Sequence, residues 1–254
     1  MRNVRIIPRL DIKGKNLIKG IQLEGLRKVG EPNNFAKKYY EEGADEILYM
    51  DAVASLYNRD NIKDIISQTA KDIFIPITVG GGIKSIKNAL EMFSAGADKI
   101  AINSAAVNNP QIIKDLANKF GSQSIVISIE AKSIKTNRWE IFTESGRKPS
   151  GIMLEDWIRQ ISDFGCGEIL LTSIDNDGTE KGFDLDLAKF INDKIKIPII
   201  VSGGMGKIDD VLQLIENTNI DAVSMASVLH FNKIEIGEIK SFLAKRNLSI
   251  QLKH

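Results

Sequence analysis

The chain has 254 residues, of which 43% are hydrophobic and 26% charged, with a net charge of +1. That balance allows a large core and a soluble surface, but its scattered basic residues supply no field for nucleic acid or an anionic membrane. The single cysteine, Cys166, excludes an internal disulfide, and with only His230 and His254 besides it no zinc cluster is expected.

Short β-branched runs alternate with helical patterns along the whole chain, the signature of repeated βα units and a parallel sheet. The pattern predicts strands near 5–11, 46–52, 75–79, 99–103, 125–130, 168–173, 197–201 and 222–226. Helices are predicted between them, near 32–42, 60–71, 84–95, 109–119, 152–164, 184–193, 207–217 and 233–245. Eight pairs close an α/β fold, a (βα)8 TIM barrel of ordinary size, read as one domain over residues 1–254. The long connections 13–30 and 132–150 follow the first and fifth strands and are expected to be irregular cover over the carboxyl face. The tail AKRNLSIQLKH is expected to be the solvated end of the last helix. No run approaches the ~18 apolar residues of a membrane span. The opening MRNVRIIPRLDIKG lacks a signal-peptide apolar region, so the expected location is the cytoplasm.

The barrel reads as one half used twice. GADEILYMD at 43–51 returns as GCGEILLTS at 165–173, IPITVGGGI at 75–83 as IPIIVSGGM at 197–205, and ADKIAINSA at 97–105 as IDAVSMASV at 220–228. Gly80, Gly81 and Gly82 close one strand; Gly203 and Gly204 close its counterpart. Glycine tolerates positive φ and lets a ligand approach the backbone, and the next helix offers free N–H groups. Asn103 and Ser104, and in the second half Ala226 and Ser227, stand beside these turns. A single glycine turn is explained as well by strand-to-helix geometry alone. The same turn twice, each with a serine-bearing partner, points to two phosphate sites facing each other across the mouth.

Asp11 ends the first strand and Glu130 the fifth, opposite each other in an eight-stranded ring. Opposed carboxyls are natural proton carriers when their environments separate their pKa values. A helix cap or a pairing with a loop lysine is the plain alternative. Asp177, in SIDNDGT, serves equally as a ligand contact or as an ordinary turn residue. Asp51 and Lys19 carry the same ambiguity, although Lys19 lies in a connection long enough to fold over the mouth. Side chains alternate along a strand, so with Asp11 inward Arg9, Ile7 and Arg5 point inward too. Glu46, Lys99 and Glu168 open their strands at the same end. Four such charges inside a barrel must pair, and a purely structural cluster would look the same.

These residues resemble a known family. IIPRLDIKG, ITVGGGI, GADKIAINSAAV, GSQSIVISIEAK, GEILLTSIDNDGT and MASVLHF are similar to the cyclase subunit of imidazole glycerol phosphate synthase, over residues 4–247. The resemblance implies a (βα)8 barrel that takes ammonia from a glutaminase docked on its amino-terminal face. It implies closure of an imidazole ring on a bis-phosphorylated ribulosyl intermediate, with release of an aminoimidazole nucleotide. Asp11 and Glu130 then match the acid/base pair; Lys19, Asp177 and Arg9 stand beside them as candidates for catalytic support on the residue reading alone. Gly81, Gly82, Asn103 and Ser104 match one phosphate site, and Gly178, Gly203, Gly204, Ala226 and Ser227 the other. Arg5, Glu46, Lys99 and Glu168 match the ring of charges through which ammonia enters. No metal and no cofactor are implied.

Two positions depart from that family, whose proper members have Cys at Arg9 and Asp at Glu130. Arg9 sets a permanent cation beside Asp11, which lowers that carboxyl's pKa. Glu130 has about 1.5 Å of extra reach. Arg9 is expected to lie between the two carboxyls and pair with at least one. With MDAVASLYNRDN, these variants resemble a side branch in surface-polysaccharide synthesis. There the barrel and its glutaminase supply ammonia for amidation of an acetamido sugar by a separate ATP-using amidotransferase. That branch is the favoured expectation. The alternatives are an authentic cyclase/lyase of histidine biosynthesis, and a non-catalytic scaffold that binds a phosphorylated ligand and activates a partner. His230 is expected to pack or cap, Cys166 to be a small buried side chain, Trp139 to be cover within the fifth loop and Trp157 to pack a helix.

Overall fold

The computed structural model describes residues 3–53 and 61–250. Residues 54–60, most of the MDAVASLYNRDN segment, lie outside it, as does the end of the tail from 251. Eight parallel strands close a ring: β1 (Arg5–Lys13), β4 (Ile47–Asp51), β5 (Ile77–Gly80), β6 (Lys99–Ile102), β7 (Ile125–Lys135), β10 (Glu168–Ser173), β11 (Ile199–Ser202) and β12 (Ala222–Met225). β12 pairs with β1 and β7 with β10, so no barrel edge is left open. The fold is a TIM barrel.

The strands are near-continuous apolar runs because each is covered on both faces. Outward residues such as Ile6, Leu10, Tyr49, Val79 and Ile127 pack under the helices. Inward residues Ile7, Leu48, Met50, Ala101, Val126, Leu170, Ile200 and Ala222 form a separate apolar layer across the barrel axis. The outer ring comprises α1 (Pro32–Glu41), α2 (Asn61–Asp72), α3 (Ile86–Ala95), α5 (Gln111–Phe120), α6 (Leu154–Ser162), α7 (Leu185–Asn192), α8 (Ile208–Asn217) and α10 (Ile236–Ala244). Local signals fix their starts: Pro32 opens α1, and Ser85 and Asp184 cap α3 and α7 by accepting from Asn88 N and Leu187 N. No helix among the described residues is long and apolar enough to cross a membrane.

The two-fold repeat holds in backbone detail. Asn103 and Ala226 share one unusual conformation (φ −127°, ψ −86° and φ −136°, ψ −72°), each at the head of a short helix, α4 (Ser104–Asn108) and α9 (Ser227–His230). Asp98 accepts from Ile77 N, and its counterpart Asp221 from Ile199 N. Both short helices fall between the predicted elements, after the strands at 99–103 and 222–226 and before the helices at 109–119 and 233–245.

Three expectations need correction. The connections 13–30 and 132–150 are not irregular: β2 (Asn16–Ile21) and β3 (Glu24–Gly30) extend β1 as a hairpin, and β8 (Arg138–Thr143) and β9 (Lys148–Met153) extend β7. Both barrel strands overrun the barrel rim, and their projecting N–H and C=O groups need partners. The tail is not a continuation of the last helix. α10 ends at Ala244, Ser249 O accepts from Val4 N, and Leu248 and Ile250 pack against the core.

Candidate active site

At the amino-terminal end, the four predicted charges form one ionic cluster. Glu46 accepts from Arg5 Nη1 at 2.7 Å, Lys99 Nζ at 2.9 Å and Thr78 Oγ1 at 2.6 Å. Glu168 accepts from Lys99 at 2.9 Å and from the second arm of Arg5. Two cations and two carboxylates alternate, so each charge meets two opposite ones. The apolar layer lies directly above.

Above that layer the interior turns polar. Strand alternation brings Arg9, Ser128, Thr172, Ser202 and Ser224 inward, next to the apolar residues of the same strands. The hydroxyls of Ser128 and Ser224 are buried without a protein partner. Arg9 is 4% exposed; its Nε donates to Asp11 Oδ1 at 2.9 Å and its Nη1 to Thr172 Oγ1 at 3.0 Å. The expected pairing of Arg9 with a mouth carboxyl is therefore present, and the partner is Asp11.

At the carboxyl end, Asp11, Glu130, Arg9, Lys19, Asp51, Ser145 and Asp177 line one small pocket. Burial pushes the Asp11 carboxyl up, but Arg9 and Lys19 outweigh it and hold its pKa below the ordinary carboxylate value. Burial pushes Glu130 up to about 7, against the pull of Arg9 and of the Gly146 N–H. Glu130 Oε2 accepts from Gly146 N at 2.7 Å and Asn103 Nδ2 at 3.2 Å. The two carboxyls are thus driven apart in acidity at one mouth. Lys19, carried inward by the first hairpin, donates to Asp177 Oδ2 at 2.7 Å and lies 3.8 Å from Asp11 Oδ2. Asp177 is buried in a turn at the wall of this pocket.

The glycine turns flank this pocket on either side. Gly81, Gly82, Asn103 and Ser104 line a cavity of about 350 Å³ that shares Met50, Asp51, Glu130 and Ser145 with the carboxyl pocket. Gly178, Gly203, Gly204, Ala226 and Ser227 line a pocket of about 20 Å³ that shares Arg9, Lys19 and Asp177 with it. The three spaces form one trough, a glycine cradle at each end and two carboxyls between. Left-handed backbone makes glycine necessary here: φ is +100° at Gly81 and +110° at Gly204, and a Cβ would lie 2.5 Å from Asp51 O and 2.0 Å from Gly182 O.

A family model described as histidine biosynthesis protein matches residues 5–235. A Legionella pneumophila protein named imidazole glycerol phosphate synthase subunit HisF is 57% identical over 210 residues, covering 83% of this chain and 99% of that protein. The chain belongs to the HisF family.

Within that family frame, the second hairpin supplies site residues the sequence reading missed. Glu144 N donates to Ser104 Oγ at 3.0 Å, Ser145 Oγ to Ala52 O at 3.1 Å, and Gly146 N holds Glu130. Glu144, Ser145 and Gly146 all have positive φ, and the glycine in TESGRK was the one available signal for such a turn. His230 packs as expected: it stacks on Tyr39, shares a 2.6 Å hydrogen bond with its hydroxyl, and is pushed down to about 4 by burial. Cys166 is buried, its thiol pushed up to about 11. Trp139 packs against Phe190 under the second hairpin, and Trp157 is buried in α6.

Proposed function

We propose that this HisF-family barrel is an ammonia-using cyclase/lyase. It would join ammonia to a bis-phosphorylated ribulosyl aminoimidazole nucleotide, giving imidazole glycerol phosphate and an aminoimidazole nucleotide. One observation carries the reading: two glycine cradles at opposite ends of a trough whose middle holds Asp11 and Glu130. A substrate with a phosphate at each end spans such a trough and presents its reacting centre to the carboxyls. Gly81, Gly82, Asn103 and Ser104 take one phosphate; Gly178, Gly203, Gly204, Ala226 and Ser227 take the other. Asp11 and Glu130 move protons, and Lys19 and Asp177 close the mouth beside them. The L. pneumophila relative carries the synthase name, which favours this reaction over the sugar-amidation role.

The ionic cluster of Arg5, Glu46, Lys99 and Glu168 is the entrance for ammonia, and a glutaminase on the amino-terminal face its source. Neutral ammonia then passes the apolar layer, which disfavours ammonium. The sugar-amidation reading keeps one specific support, the Arg9–Asp11 pair in the acid/base layer. The test is conversion of the bis-phosphorylated nucleotide with ammonium salt at pH 7–8 by the unmodified chain. Imidazole glycerol phosphate at an ordinary enzymatic rate establishes the cyclase. No product from it, with glutaminase stimulation retained, would leave the ammonia-supplying or scaffold roles.

A further inference from the structure

Arg9 reaches across the barrel and is tied at both ends. Its own strand supplies Asp11, two residues on and on the same face; the far side supplies Thr172 of β10, whose ladder partner on β7 is Glu130. The guanidinium therefore arrives beside Glu130 but bonds a neutral hydroxyl there, and gives its ionic contact to Asp11 alone. Glu130 is held differently. Both of its protein donors, Asn103 Nδ2 and Gly146 N, converge on Oε2, and no hydrogen bond from the described residues meets Oε1, while the residue lines both the carboxyl pocket and the larger cradle. One carboxyl is locked into an ion pair and the other keeps an oxygen turned to the ligand space.

We propose that Arg9 is the positioning residue that divides the proton work, holding Asp11 as the acceptor and leaving Glu130 as the donor. The assignment rests on the acid/base reading above. In each turnover Asp11 takes a proton from the substrate and Glu130 gives one to the leaving nitrogen. Exchange with solvent after product release removes the first proton and restores the second, so the site returns to its starting state.

The groups that face the pair support the division. Asp11 meets Arg9 on its own strand, Lys19 on β2 and His230 on α9; Glu130 meets Asn103 after β6 and Gly146 after β8 through hydrogen bonds, and Arg9, Asp11 and Asp177 through charge alone. Among the described residues, the ion pairs made to the two carboxyls, from Arg9 and Lys19, both fall on Asp11. Removing the Arg9 charge strips Asp11 of a hydrogen-bonded ion pair and Glu130 only of a neighbouring charge that makes no hydrogen bond to it. A neighbouring cation depresses a carboxyl by about 1–3 pH units, so the two residues must respond unequally.

The experiment is a carbon-13 NMR titration of the side-chain carboxyls in the whole, ligand-free chain, assigned with Asp11→Asn and Glu130→Gln. In the unmodified protein Asp11 titrates below Glu130; the reverse order overturns the proposal without any Arg9 variant. In Arg9→Met the Asp11 titration rises by about 1–3 pH units and the Glu130 titration by less, whereas Arg9→Lys leaves Asp11 near its original position. An Arg9→Met protein that folds with Asp11 unmoved would overturn it too, since a merely structural arginine predicts that result. The titrations need no turnover, so failure of the cyclase assay and failure of the Arg9 assignment are separate outcomes.

Discussion

Glu46 anchors the basal cluster, and Glu46→Gln isolates what its charge contributes. The carboxylate is 1% exposed and accepts from two cations and a hydroxyl. Glutamine keeps the shape, but its amide oxygen meets fewer donors and its NH2 group faces Arg5, Lys99 or Thr78. The cluster changes from balanced to a net charge of one, and both cations must share Glu168. Breaking a buried pair costs about 3–5 kcal/mol. Arg5 and Lys99 side chains are 26% and 19% exposed, so they recover part of that loss from water. The expected destabilisation is about 2–3 kcal/mol, or a fall in Tm of roughly 5–10 °C at this chain length. Urea unfolding should show a lower midpoint with an unchanged slope. A change below about 0.5 kcal/mol, the size of an ordinary surface substitution, would refute the claim that the four charges depend on one another.

Lys240→Met leaves Asp45 buried with its charge uncompensated, since Lys240 Nζ lies 2.6 Å from Asp45 Oδ1 on the far side of β1. Urea unfolding is expected to show a loss of about 3–5 kcal/mol. Gly204→Ala places a methyl 2.0 Å from Gly182 O at φ +110°, whereas Gly151→Ala at φ +78° meets nothing within 4 Å. The first should weaken inorganic phosphate binding at least ~10-fold by calorimetry, while the second costs only the backbone strain of about 1 kcal/mol. Glu130 keeps its proton in the folded chain up to about 7 but releases it near the ordinary glutamate value of 4.5 when unfolded. Its contribution to stability is therefore complete below that lower value and disappears as pH rises through 7, a loss of about 3 kcal/mol at ~1.4 kcal/mol per pH unit. Glu130→Gln should flatten the stability curve across this window, measured by urea unfolding at pH 5 and pH 8.

The barrel was legible because its strands and helices announce themselves through period and punctuation. IPITVGGGI and IPIIVSGGM each carry a buried run and the glycines that end it, and repetition across the chain made the closure readable. The charged floor was legible for the same reason: once Asp11 was taken as inward, alternation placed Arg9 and Arg5. What escaped were the two hairpins. NLIKGI and RWEIFT are short, mixed in polarity and stabilised by pairing with overrunning strands, a long-range contact that no local pattern encodes. With the hairpins went the roles of Glu144, Ser145 and Gly146, whose donors reach Ser104 and Glu130 from a segment remote in sequence. The unequal size of the two cradles was equally invisible, since their sequences are near copies.

That inequality has a mechanical origin in the first hairpin. Gly20 O lies 2.4 Å from where a Cβ on Gly178 would stand, Gln22 N donates to Asp177 O at 2.7 Å, and Lys19 pairs with Asp177 at 2.7 Å. Residues 19–22 thus converge on one turn, beside the smaller cradle of about 20 Å³. The second hairpin also touches the first cradle, through Glu144 N donating to Ser104 Oγ and Phe142 O accepting from Asn103 Nδ2, but without a buried ion pair. Lys19→Met tests this account by removing the ion pair while keeping the side chain's bulk. Asp177 then faces the loss of a directly bonded cation, and the hairpin loses its anchor. Even 2 kcal/mol of lost local stability speeds amide exchange roughly thirty-fold. Deuterium uptake over residues 16–30 should rise by that factor or more, while uptake over residues 138–153 stays unchanged. Equal protection of the first hairpin in the variant and the unmodified chain would mean that packing of the hairpin, not the Lys19–Asp177 pair, keeps the second cradle closed.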